Sequence, residues 1–178
     1  MAIALVFETH GMTVDNELGR ATGWLPGELS GQGRMQARDL GARRRDDGIA
    51  AVFSSDLDRA IQTAAIAFDG SGIPLLHDWR LRECDYGQLN GMAAEEMHRG
   101  RLGHLDRPYP GGESWRQAVA RVGRFLGDLP SRWDRQRILV IGHVATRWGL
   151  DHFIGGAALE DLIGQDFAWQ EGWEYRLG

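Results

Sequence analysis

Short unbroken apolar runs alternate along this chain with longer stretches in which apolar residues recur at helical spacing. Ile3-Ala4-Leu5-Val6-Phe7 is apolar throughout, the pattern of a strand buried on both faces. Ala50-Ala51-Val52-Phe53-Ser54 and Ile138-Leu139-Val140-Ile141 repeat it, and a briefer strand is predicted around Ile73 to Leu76. Ser30 is placed as the N-cap of a helix through Arg45, with Met35 and Leu40 turned inward. Ser55, with Asp58 three residues on, resembles a capping box for a second helix. Leu57, Ile61, Ala64, Ala65 and Phe68 recur along it. A weak helical stretch follows Gly91, and Trp115, Val119, Val122, Phe125 and Leu126 form a strong stripe that stops before Pro130. The last helix covers roughly Thr146 to Ile154, and Trp173 to Leu177 reads as an edge strand.

Strands alternating with helices in this way imply an α/β layer fold with a largely parallel sheet. Without an internal repeat or linker, residues 1–178 read as one domain. Ligands of such sheets sit beyond the carboxyl ends of the strands. Three apolar runs lead into polar or glycine-bearing loops, at Thr9-His10-Gly11, Ser54-Ser55 and Gly142-His143, and these are predicted to converge.

Composition narrows the partners. A hydrophobic content of 43% with 25% charged residues fits a soluble domain and excludes disorder and a disulfide scaffold. All 20 basic residues are arginine, set against 25 acidic ones for a net charge of -5. That balance disfavours nucleic acid, which needs a basic face, so any phosphate binding is expected to be local. The first apolar run is broken by Glu8, and no run approaches about eighteen residues, so neither a signal peptide nor a membrane span is predicted. With a single cysteine, Cys84, read as packing, the expectation is a cytoplasmic protein. Arg43-Arg44-Arg45 reads as a solvated helix face, and the tryptophans as core, with Trp24 a lesser candidate for a pocket wall. His77, His98, His104 and His152 have no metal-ligand spacing, so no metal is expected.

Taken singly, His10, His143, Arg59 and Glu83 are an ordinary loop histidine, another, a solvated arginine and a surface carboxylate. An α/β sheet would bring their positions together, and the set then suits one chemistry. A neutral imidazole can attack phosphorus to give a phosphohistidine. Arginine's planar fork suits the equatorial oxygens. A protonated carboxyl can supply the leaving group's proton and later take one from water.

Several separated motifs resemble the histidine phosphatase superfamily, also called the phosphoglycerate-mutase-like family, from residue 3 to about residue 155. Leu5 to Thr13 is similar to its strand followed by Arg-His-Gly-x-Thr, and Asn16 with Gly19-Arg20 to its Asn-x-x-Gly-Arg segment. Leu29-Ser30, Gly33 and Gln36-Ala37 resemble its first helix start. Ser54-Ser55, Leu57, Arg59-Ala60 and Gln62-Thr63-Ala64 match its Ser-Ser-x-Leu-x-Arg-Ala-x-Gln-Thr-Ala motif. Leu81-Arg82-Glu83, Gly111-Gly112-Glu113-Ser114 and Val140-Ile141-Gly142-His143 complete the set. The resemblance implies a three-layer sandwich and a cofactor-independent phosphoryl-transfer site. In it His10 is nucleophile, His143 a donor to the phosphoryl oxygens, Arg59 the phosphate clamp and Glu83 general acid then base. Asn16 and Arg20 match positions on the substrate side of the pocket.

One position departs from the pattern: the family places arginine before the nucleophilic histidine, and this chain has Thr9. A hydroxyl there gives one neutral hydrogen bond in place of a charged fork, a loss of roughly 2 to 4 kcal/mol of transition-state stabilisation if nothing compensates. Val144 likewise replaces the usual glycine after the second histidine. The reading is a phosphatase for a small phosphomonoester. The rival is a divergent site doing acid-base chemistry on a biosynthetic intermediate, or only binding an anion. Oligomeric state is left open, a homodimer included.

Overall fold

The computed structural model describes residues 2–178. Five strands form the main sheet: β1 (Ile3–Thr9), β3 (Ala51–Ser54), β4 (Leu75–His77), β6 (Arg137–Gly142) and β7 (Trp173–Leu177), in the order β4-β3-β6-β1-β7. The first four are mutually parallel and β7 runs antiparallel at the edge. A two-stranded ribbon, β2 (Arg20–Ala21) with β5 (Met92–Ala93), lies apart. The helices are α1 (Val14–Glu17), α2 (Gly31–Arg44), α3 (Asp58–Phe68), α4 (Ala94–Gly100), α5 (Trp115–Asp128), α6 (Pro130–Trp133), α7 (Val144–Phe153) and α8 (Leu159–Gly164). This is the expected α/β architecture, a mostly parallel central sheet flanked by helices.

Alternate residues of each strand feed separate cores, which is why the strands read as continuous apolar runs. Leu5, Phe7, Ile138 and Val140 pack with Val122, Phe125 and Leu126 of α5, whose stripe is buried as predicted. Val6, Val52, Leu139 and Ile141 pack on the opposite side with Leu40 of α2 and Ala60, Ala64 and Ala67 of α3. Trp115 fills a third cluster with Trp148, Tyr86 and Cys84. Full burial of Cys84 bears out its reading as packing.

Several expectations are corrected. Ser30 does cap α2, its Oγ accepting the Gly33 N–H at 3.2 Å, but Met35 is 62% exposed. Met35 stands five residues from the buried Leu40, about 140° round the helix. The inward face is instead Gly33, Ala37, Leu40 and Gly41. Its two glycines are required by close approach: a Cβ on Gly33 would come within 1.9 Å of the Met12 carbonyl oxygen, and one on Gly41 within 2.2 Å of that of Ala67. On α3 the N-cap is Leu57 without a side-chain cap, and Ala65 is exposed, because Arg59, Ala60, Thr63, Ala64, Ala67 and Phe68 hold the buried face. Helix α7 starts at Val144, with His143 as its N-cap.

The arginine run is a solvated face only at Arg45, which is exposed; Arg43 and Arg44 are partly buried. Glu8, 2% exposed, is a buried carboxylate, and Arg43 and Arg44 reach it at 3.2 and 2.9 Å, as a charge removed from water demands. Arg45 donates to the Ala67 carbonyl. Nor are all tryptophans core: Trp79 and Trp169 are about half exposed. No helix among the described residues is long and apolar enough to cross a membrane.

Candidate active site

Strand order decides which loops meet. Because β3, β6 and β1 are neighbours, Ser55, His143 and His10 emerge side by side from their carboxyl ends. Thr9 pairs in register with Gly142, and the His10 and His143 rings that follow stand 5.0 Å apart. The predicted convergence of three loops is what the sheet delivers.

His10 is held by its own turn. Its Nδ1 lies 2.7 Å from the Gly11 carbonyl oxygen, which only accepts, so Nδ1 carries the ring proton and Nε2 keeps its lone pair. The Gly11 N–H donates to Thr63 Oγ1 at 3.0 Å, and that hydroxyl donates to the Arg59 carbonyl at 2.7 Å, tying the histidine turn to α3. Desolvation and then the positive charge of Arg59 push the His10 pKa down to about 3. His10 is therefore neutral at physiological pH. His143 is buried beside it and held well below the ordinary imidazole range by desolvation, then by Arg59.

Arg59, in the first turn of α3, is only 3% exposed. Its guanidinium donates to the carbonyls of Gly23 at 2.8 Å and Leu25 at 3.4 Å, and no carboxylate oxygen lies within 4.0 Å of it among the described residues. A buried guanidinium without a carboxylate partner is a receptor for an anion. Glu83 is placed by the N-terminus of α7: its Oε1 accepts from the N–H of Cys84 at 2.9 Å and of Ala145 at 3.2 Å. Desolvation raises its pKa, against the opposing pull of the Cys84 N–H and the Arg59 charge. One carboxyl near a neutral pair of imidazoles, biased towards its protonated form, is a proton donor in waiting.

Thr9 is adjacent to His10 and half-buried. Its Oγ1 accepts the indole N–H of Trp169 at 3.1 Å, and the two residues line a cleft of about 70 Å³ with His10, Gln36 and Arg43. Arg20 is exposed in β2 and has no ion-pair partner among the described residues. Asn16 is exposed and serves α1: its Oδ1 accepts the Thr13 N–H at 3.1 Å in a capping box. The structure thus gathers His10, His143, Arg59 and Glu83, sets Thr9 beside them, and leaves Asn16 and Arg20 on the outer segment. Among the described residues no group of three metal-ligating side chains forms a metal site.

Sequence reasoning missed the supports. Ser55 Oγ lies 2.7 Å from His143 Nε2 and so belongs to the site rather than to a helix cap. The backbone oxygen of Glu83 accepts from Trp24 Nε1 at 2.7 Å and Arg121 at 2.9 Å. Arg121 in turn grips Glu113 through Nε at 2.7 Å and Nη2 at 2.6 Å. Arg121 sits within a helical stripe where an arginine reads as a solvent residue, and only its 1% exposure reveals otherwise. Trp24 lies under the Arg82 guanidinium, 4.5 Å from its ring centre.

Known proteins resemble this chain in sequence and in fold. A 2,3-bisphosphoglycerate-dependent phosphoglycerate mutase 2 of Latilactobacillus sakei subsp. sakei is 30% identical, over 97% of this chain and 93% of its own. A 2,3-bisphosphoglycerate-dependent phosphoglycerate mutase of a Methylobacterium is 34% identical, over 90% of this chain and 84% of its own. Among solved structures, Bacillus stearothermophilus YhfR superposes with a TM-score of 0.82 at 25% identity, covering 95% of this chain and 88% of its own. A mycobacterial glucosyl-3-phosphoglycerate phosphatase superposes with a TM-score of 0.79 at 25% identity, covering 92% and 84%. The family model for the histidine phosphatase superfamily, branch 1, matches residues 5–164. With that model covering most of the chain and relatives of 30% identity or more along nearly its whole length, the chain belongs to the histidine phosphatase superfamily.

Proposed function

We propose that this protein is a phosphatase that hydrolyses a small phosphomonoester through a phosphohistidine on His10, with no cofactor. The observation that carries the reading is Arg59, buried and free of any carboxylate partner among the described residues, beside a histidine whose Nε2 is unprotonated. A phosphoryl group drawn to that cation comes into line with His10 Nε2. Attack forms the N–P bond as the P–O bond to the leaving group breaks, and the protonated Glu83 carboxyl delivers a proton to the departing oxygen. Glu83, now a carboxylate, takes a proton from water, which displaces phosphate from His10. Asn16 and Arg20 are assigned to the rim that meets the leaving group, and Thr9 to the wall of the phosphoryl pocket.

Hydrolysis rather than transfer is supported by what this chain lacks. A mutase must shield its phosphohistidine from water until the acceptor hydroxyl is in place. The span aligned with the Latilactobacillus mutase is 213 residues against a chain of 178, so segments of that enzyme have no counterpart here. The test is the His10→Ala variant on an aryl phosphate, with its fold checked by circular dichroism. Turnover falls to background on this reading; wild-type turnover would refute it. The unoccupied arginine position at Thr9 favours the second reading, altered chemistry or anion binding alone, and the Thr9→Arg variant considered below separates the two.

A further inference from the structure

The Arg59 guanidinium is held at two points. Among the described residues its hydrogen bonds run from Nη2 to the Gly23 carbonyl at 2.8 Å and from Nη1 to the Leu25 carbonyl at 3.4 Å. Both directions are fixed, because a guanidinium only donates and a carbonyl only accepts, and donors remain for a ligand. A charged head on a flexible stem is placed no better than the groups that hold it, so the position of Arg59 is the position of those two carbonyls.

Both carbonyls flank Trp24, in the irregular loop between β2 and α2. One backbone hydrogen bond, from the Leu25 N–H to the Thr22 carbonyl at 3.2 Å, closes the turn. Trp24 then ties it to the loop that carries Glu83. Its indole Nε1 donates to the Glu83 carbonyl at 2.7 Å, and its backbone N–H donates to Asn90 Oδ1 at 3.3 Å. Its half-buried ring lies 4.5 Å from the Arg82 guanidinium, which both oxygens of Asp56, three residues before Arg59, hold at 2.7 Å. The turn is pressed against the acid loop so closely that a Cβ on Gly23 would overlap the Asn90 side chain and the Tyr86 ring.

Glu83 does not need Trp24 in return. Its carbonyl also accepts from Arg121 at 2.9 Å, and its Oε1 accepts from the N–H groups of Cys84 and Ala145. The acid loop is therefore the fixed reference, and the turn is the part that hangs from it.

We propose that Trp24 is a positioning residue for Arg59: by tying the Gly23–Leu25 turn to the Glu83 backbone, its indole holds the guanidinium at a set place relative to the acid, with its free donors open to an anion. That this anion is a substrate's phosphoryl group rests on the phosphatase reading. One side chain thus registers the clamp against the acid, so that a phosphoryl group gripped by Arg59 arrives with its leaving oxygen within reach of Glu83.

The experiment titrates the full chain with inorganic phosphate by calorimetry, in the wild type, Trp24→Phe, Arg59→Gln and the double variant. Trp24→Phe keeps an aromatic ring under Arg82 and removes the indole N–H. Affinity should fall about fivefold in Trp24→Phe, the worth of one hydrogen bond, and should fall no further when the same change is made in Arg59→Gln, since Trp24 acts through Arg59. Unchanged affinity in Trp24→Phe overturns the proposal. So does an equal fivefold loss in the Arg59→Gln background, which marks Trp24 as a general support of the fold. If either variant does not fold, the wild type decides: saturating phosphate shifts the Trp24 indole N–H signal in an NMR spectrum of the tryptophan-labelled chain, and a signal that stays in place overturns the proposal. A wild type that binds no phosphate overturns the proposal together with the phosphatase reading, whereas phosphate bound equally by the wild type and Trp24→Phe overturns the proposal alone.

Discussion

The Arg121→Met variant tests how Glu83 is held. In the native chain Arg121 is 1% exposed and spends its donors on both oxygens of Glu113 and on the carbonyls of Arg80 at 3.1 Å, Arg82 at 2.9 Å and Glu83 at 2.9 Å. Methionine fills much of the volume but satisfies none of these groups. Breaking one partner of a buried pair typically costs about 3 to 5 kcal/mol, because the remaining charge is stranded. Glu113 is 19% exposed along its side chain and also accepts the Asp85 N–H at 3.1 Å, which relieves part of the penalty, so we place the loss near the low end, about 3 kcal/mol. For a chain of this size that corresponds to roughly 6 to 12 °C in Tm. Urea unfolding of the wild type, Arg121→Met, Glu113→Gln and the double variant gives the coupling energy directly. The two single losses must exceed additivity, since Glu113→Gln removes the stranded charge. A loss under about 1 kcal/mol for Arg121→Met, or purely additive effects, would refute the view that this pair clamps the Glu83 loop.

Other outcomes follow from the site. Thr9→Arg adds a charged donor beside His10 and is expected to raise turnover of an aryl phosphate about a hundredfold, the worth of one preorganised donor; no gain, with loss of a native activity, would assign the pocket to other chemistry. Glu83→Gln should cost about a hundredfold or more on an alkyl phosphate and far less on a nitrophenyl phosphate, whose leaving group needs no proton; equal losses on both would remove Glu83 from the acid's role. Stability should fall with acid. His10 is neutral in the fold down to about pH 3, while the unfolded chain takes up its proton near pH 6.5, so the stabilising difference is complete above pH 6.5 and is lost as pH falls towards 3. From pH 7 to 5 that amounts to about 2 kcal/mol for His10, measurable in urea, and His10→Gln should lack it.

Much of this was legible because strands buried on both faces leave unbroken apolar runs. Those runs place Thr9, Ser54 and Gly142 at the ends of neighbouring strands, and the residues just beyond are His10, Ser55 and His143. Sequence spacing does not reveal what a polar side chain does once buried. Arg43 and Arg44 look like solvent residues until Glu8, an odd charge in an apolar strand, is seen to need them. Ser55 sits where a helix cap belongs, yet its hydroxyl turns to His143, a residue 88 positions away. Arg121 lies in a helix whose apolar stripe says nothing of the Glu113 carboxylate beneath it. Met35 failed for a simpler reason: the helix turns inward the face of Gly33 and Gly41, which meet the Met12 and Ala67 backbone with no room for a Cβ, and Met35 lies off that face.

The central claim is a covalent phosphoryl group on His10, and it can be read directly. Enzyme mixed rapidly with a radiolabelled phosphomonoester and quenched in alkali should carry label on one peptide, with the phosphate on the His10 ring, and His10→Ala should carry none. Turnover by the wild type with no label on His10, or label on another residue, would contradict it.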